Sequence, residues 1–203
     1  LFLLLVVRVV GGDLLIGGQR LYRFSPTAEA FAPSGSQLAM AAQIKNVPPR
    51  YWNEDPRPGI ALPNVPAGAP FIRMIHDISY AHTAIGVGVA YIYGMNPLRL
   101  ASVQALISYT NGAELETRRA ILARLGAELW IIWNQERALD VARRMGLQPL
   151  PAVEGAPLLV GLLGDPQALE RVRWVDETKW VGDRGEALAA LGSGLKPGWV
   201  VGF

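Results

Sequence analysis

Five consecutive apolar residues, Leu129-Trp130-Ile131-Ile132-Trp133, stand between two helical periods that each run into a glycine, and this arrangement restricts the chain more than any other feature. The run is short, aromatic and β-branched, so it predicts a strand. Because it carries no polar alternation, it predicts a strand buried on both faces, central in a sheet. Glu114 and Glu116 open the helix before it, where a negative charge suits the helix dipole, with Arg118, Arg119 and Arg124 toward the other end. Leu115, Leu122 and Leu125 give that helix its apolar stripe, and Gly126 stops it. The helix after the strand spans Glu136 to Met145, with Leu139, Ala142 and Met145 inward and Gly146 as its stop.

The alternation extends in both directions. Phe71 to Ile75 reads as a short strand, and Asn96-Pro97 starts a helix, with Asn as N-cap and Pro in the first turn. Leu98, Ala101, Ala105 and Tyr109 continue it until Asn111-Gly112. Pro157 to Leu163, Arg171 to Val175 and Trp199 to Val201 read as further strands, and Asp183 leads a short helix through Leu191. The expected architecture for 71–203 is α/β or α+β, a small mixed sheet covered by helices.

The residues before 71 have a different character. Nine of the first ten residues are apolar, Arg8 being the exception, and Gly11-Gly12-Asp13 follows. A bilayer span needs about 20 apolar residues, so this run alone is too short. It reads as a buried strand, as the remnant of a signal peptide, or as the end of a transmembrane helix over 1–18, with Arg8 snorkelling to the interface. The last is the favoured reading. Seven of the 15 prolines then fall between Val47 and Pro70. Each removes a backbone donor and restricts the residue before it, which predicts an extended connector over 19–70, with Tyr51-Trp52 pinning it to a surface.

Composition removes several function classes. With 19 basic and 17 acidic residues there is no cationic surplus for nucleic acid. The absence of cysteine rules out disulfides, thiol nucleophiles and Cys-ligated zinc. The two histidines, His76 and His82, lie beside Asp77 and form the one polar cluster that could bind a ligand. Their spacing matches no metal motif, and hydrogen bonding to backbone accounts for them as well. Gly86-Val87-Gly88 lacks the third glycine of a dinucleotide loop, since Tyr91 occupies that position. The carboxylate pairs Glu54-Asp55, Glu114/Glu116 and Asp176-Glu177 read as solvated faces or helix starts. Trp130 and Trp133, three apart on a strand, should face opposite sides of the sheet. No catalytic residue, metal site or cofactor emerges.

Several segments, in order, resemble the extracytoplasmic region of YfhO-type bacterial membrane proteins, a family similar to multi-spanning, lipid-phosphosugar-dependent glycosyltransferases. They are the apolar run closing on Asp13-Leu14, the strand Phe71-Ile72-Arg73-Met74-Ile75, and Tyr93-Gly94-Met95-Asn96-Pro97-Leu98, where Met95 replaces the usual aromatic. The helix-to-strand unit from Arg119 to Ile132 is the best of them. Glu170 to Val175 and Gly185-Glu186-Ala187-Leu188 follow, although Leu169-Glu170-Arg171 departs from the family's Leu-Pro-Arg. The resemblance implies an extracytoplasmic module at the bacterial cytoplasmic membrane, facing the lipid bilayer and a lipid-linked sugar or envelope glycan. It also implies that the family's catalytic acidic residues lie upstream of Leu1, so none is carried over. A non-catalytic membrane-anchored scaffold and a free-standing soluble α/β enzyme are the other readings.

Overall fold

The structure, a computed structural model, describes residues 32–45, 47–54, 83–93, 101–155, 158, 160–170, 174, 177–193 and 199–202. The described residues form five α-helices, α1 (Gly35–Ala41), α2 (Ala101–Gly112), α3 (Leu115–Arg124), α4 (Gln135–Met145) and α5 (Arg184–Gly192). The strands are β1 (Arg50–Asn53), β2 (Ala90–Tyr91), β3 (Leu129–Ile132), β4 (Gln148–Pro149), β5 (Gly161–Gly164), β6 (Glu177–Trp180) and β7 (Trp199–Gly202). A 3-10 turn, Thr83–Val87, precedes β2. All the described elements lie in one compact unit made of Pro33–Ile60 and Ile75–Phe203.

The main sheet is mixed, in the order β2-β1-β3-β5-β4. β1 runs parallel to both β2 and β3, while β5 is antiparallel to β3 and to β4. The expected small α/β fold is therefore observed, with β3 at the centre as its unbroken apolar run requires. Alternation along the strands sends Trp52, Trp130, Ile132 and Leu163 to one face, under Leu122 of α3 and Ala138, Val141, Ala142 and Met145 of α4. Tyr51, Leu129, Ile131 and Leu162 go to the other face, against Ala39 and Met40 of α1 and Ala84 and Val89. Trp133 packs on this second face, opposite Trp130, as its spacing predicts.

The stretch 19–70 is not simply an extended connector. It contains α1, closed by a capping box in which Ser34 and Gln37 bond reciprocally to each other's backbone. It also contains β1, a strand bonded on both sides, whose Tyr51 and Trp52 are wholly buried rather than pinned to a surface. The physical reason is local. Pro48 and Pro49 precede the strand and Pro56 follows it, so residues 50–53 keep every donor.

Three further details differ from the sequence reading. Leu139 of α4 is exposed, and Ala138 points inward in its place, because a face containing Val141, Ala142 and Met145 continues backward through 138. α2 runs through Asn111-Gly112 instead of ending before it. The strand expected over Pro157 to Leu163 is the shorter Gly161–Gly164. Of the expected strand Arg171 to Val175, only exposed Trp174 is described, and β6 begins beyond it. The apolar run 1–18, the strand Phe71 to Ile75 and the Asn96-Pro97 start lie outside the described residues. Among the described residues no helix is long and apolar enough to cross a membrane.

Candidate functional site

Parallel strands create a directional site: ligands in open α/β sheets bind beyond the carboxyl ends of the strands, where neighbouring connections diverge. Here that point lies between β1 and β3. The chain leaving β1 returns as β2 on one side of it, whereas the chain leaving β3 enters α4 and goes on to β4 at the opposite edge. Asn53, Glu54, Trp133, Asn134 and Arg137 occupy this position.

Each is held by local chemistry. The Glu54 N–H donates to the Ile131 carbonyl at 2.9 Å, prolonging the β1–β3 ladder by one residue. The Trp133 indole N–H donates to the Glu54 carbonyl oxygen, bridging the two strand ends. Asn134 is the N-cap of α4, its side-chain oxygen accepting from the Arg137 N–H at 3.1 Å. That cap brings the Arg137 guanidinium onto the Glu54 carboxylate as an ion pair. The carboxylate is nearly sealed, with a side chain 11% exposed, while Arg137 remains 47% exposed. Glu54 is thus a buried, neutralised group rather than part of a solvated acidic pair. Such a pair joins the end of β1 to the first turn of α4. Asp55 lies outside the described residues.

A second polar assembly lies beneath the α2–α3 corner. Arg118 is 6% exposed. Its guanidinium donates to the carbonyls of Thr110 at 3.0 Å, Asn111 at 2.8 Å and Ala113 at 2.9 Å, satisfying the C-terminal end of α2. The guanidinium carbon lies 5.7 Å from the Trp52 ring centre, a cation–π contact. Arg118 therefore caps the preceding helix instead of serving the end of its own. Trp52 meets Trp130 edge to face, 5.1 Å between ring centres. Neither indole N–H has a hydrogen-bond acceptor among the described residues. Burial pushes the Tyr93 phenol up to about 12, against the lowering influence of the neighbouring Thr110 hydroxyl and Arg118 charge. The Tyr93 hydroxyl faces Thr110 without a hydrogen bond of standard geometry. Burial, and the nearby Tyr91, raise Tyr51 further still.

A second ion pair, Arg119–Asp165 at 3.0 Å, fixes the turn after β5, where Asp165 also accepts from the Gln167 N–H at 2.9 Å. No group of three histidine or carboxylate residues suited to a metal occurs among the described residues. His76, Asp77 and His82 lie outside the described residues. Exposed Glu114 and Glu116 stand at the start of α3, as expected. Sequence reasoning missed Glu54, Arg137, Arg118 and Asp165. One signal was available for Arg118, which follows the Asn111-Gly112 helix end closely enough to fold back on it.

Compared with known proteins, the chain matches no family model, no curated protein and no solved structure.

Proposed function

We propose that the chain is an extracytoplasmic α/β module of a polytopic bacterial membrane protein resembling the YfhO-type, glycosyltransferase-like family. In this reading it shapes the acceptor site, or docks a partner, during modification of an envelope glycan or lipid. One observation carries the most weight. The unit Arg119 to Ile132, where the resemblance is best, forms α3 followed directly by the central strand β3, and Gly126 makes the turn between them with φ of 70°. The positive φ favours glycine there, and a Cβ would also meet the Leu169 carbonyl oxygen at 3.0 Å, a tight contact. The motif is thus a packed structural unit of the fold rather than a run of apolar residues.

The described buried charges fit a rigid supporting module. Arg118, Arg119 with Asp165, and Glu54 with Arg137 each tie one element to another. A wall against which a substrate is held at a membrane surface needs that rigidity. A purely scaffolding role on the same anchor is favoured by Trp174 and Trp180, 93% and 76% exposed, which offer contact area to a partner.

The test is an in-frame deletion of 71–203 from the encoded protein, with the envelope glycans and lipids profiled by mass spectrometry. Loss of one glycosylated species supports the transferase-associated reading, and an unchanged profile refutes it. Membrane fractionation of the parent cells checks the anchor: recovery of the intact protein in the soluble fraction would refute a membrane location.

A further inference from the structure

β6 and β7 form a parallel ribbon of two strands, and all four residues of β6 are exposed. This is an unusual resting state for β structure. Parallel strands are ordinarily covered on both faces, and a two-stranded sheet is marginal on its own. β7 occupies one edge of β6 in register from Glu177↔Trp199 to Trp180↔Gly202, and it is the one strand paired with β6 among the described residues. Among the described residues nothing pairs with the opposite edge of β6, which presents backbone donors and acceptors to another strand.

The residues along that edge specify a partner. Glu177-Thr178-Lys179 is antisymmetric in charge about Thr178, and so complementary to its own reverse. Suppose a second copy of the strand lies antiparallel with Thr178 opposite Thr178. Glu177 of each copy then faces Lys179 of the other, twice, across the axis. Opposite-charge pairs and Thr–Thr pairs are among the favourable cross-strand combinations. A lysine on an edge ordinarily discourages pairing with foreign strands; here the chain supplies the matching glutamate itself. Trp180 shares a face with Thr178 by strand alternation, so its exposed ring reaches diagonally over the partner's Thr178. The arrangement is isologous and closes as a dimer instead of growing into a fibre.

We propose that β6 pairs antiparallel with β6 of a second copy of this chain about a twofold axis through Thr178, joining two ribbons into one four-stranded sheet.

The chain contains no cysteine, so one introduced cysteine is an unambiguous probe. Residues opposite one another in an antiparallel pair have Cα atoms about 4.5–5.5 Å apart. That lies within the range of about 4.4–6.8 Å that a disulfide bridges. Under mild oxidation the full chain carrying Thr178→Cys should form a covalent dimer, and Ser102→Cys, at an exposed position on α2, should not. Adding Glu177→Lys or Lys179→Glu to Thr178→Cys places like charges opposite each other twice. Each change should lower the cross-linking yield on the order of tenfold. Mixing those two variants restores both opposite-charge pairs in a heterodimer, and the yield should return. A general loss of folding could not produce that recovery. Sedimentation velocity of the cysteine-free charge variants, alone and mixed, should give the same order of association. The proposal is overturned if Thr178→Cys remains monomeric, if Ser102→Cys cross-links as readily, or if the charge variants cross-link like the parent.

Discussion

Replacing Gly161 with alanine tests how closely α4 is seated on the sheet, and with it the position of Arg137. A Cβ at Gly161 would lie 2.0 Å from the Ala138 Cβ and 3.5 Å from the Asn134 carbonyl oxygen. Carbon atoms in contact prefer about 3.5–4.0 Å, so the first turn of α4 would have to retreat by roughly 1.5 Å. Such overpacking costs about 1–3 kcal/mol, offset by about 0.4–1 kcal/mol because alanine restricts the unfolded chain more than glycine. A net loss of about 1–2 kcal/mol is expected for Gly161→Ala. Ala138→Gly alone should cost a similar amount, about 1 kcal/mol from helix propensity and about 0.8 kcal/mol from the lost buried methyl. If the two methyls collide, the double variant is less destabilised than the sum, because the second change removes the obstacle to the first. Its loss should be about 1 kcal/mol against an additive value of about 3 kcal/mol. Equilibrium urea unfolding followed by tryptophan fluorescence measures all four proteins. Additivity within about 0.5 kcal/mol, or a Gly161→Ala protein as stable as the parent, would refute the close seating.

Three further outcomes follow from the same geometry. Arg118→Lys keeps the charge but not the planar fork that reaches the carbonyls of Thr110, Asn111 and Ala113; unfolding should become easier by about 2–4 kcal/mol, and a change below about 0.5 kcal/mol would show that the α2 cap is dispensable. Asn134→Ala removes the side-chain acceptor at the start of α4; a loss of about 1 kcal/mol is expected in chemical denaturation, and an unchanged midpoint would contradict it. Because Tyr93 titrates near 12 in the folded chain, above its ordinary value of 10.0, its neutral phenol favours the fold. That contribution is whole below pH 10 and is lost as the pH rises through 12. Tyr93→Phe should therefore flatten the fall in stability measured between pH 10 and 12, and an identical slope in the variant would contradict the assignment.

The secondary structure around β3 was legible because helix and strand periods are local properties. Gly126 and Gly146, with φ of 70° and 64°, end the two helices at the positions their sequence context indicates. β1 was not legible. Four residues, Arg50 to Asn53, between prolines carry too short a pattern, and its β structure follows from hydrogen bonding to β2 and β3, segments 40 and more residues away. Tertiary pairing outweighs a proline-rich composition wherever the prolines themselves fall outside the ladder.

The candidate site shows the same division. A carboxylate at 54 and an arginine at 137 carry no mutual signal across that separation; parallel pairing of β1 with β3 and the Asn134 cap of α4 bring them together. Arg118 looks like one of three arginines in a helix until the turn back onto α2 buries it. By itself the sequence determined the fold class, the central apolar strand and the helix stops, since these rest on side-chain periodicity and on glycine's access to positive φ. Only the tertiary structure decided which strand neighbours which, which charges are buried, and where the strand ends meet. Those outcomes depend on hydrogen bonds and desolvation between residues far apart in the chain, and a linear pattern does not encode them.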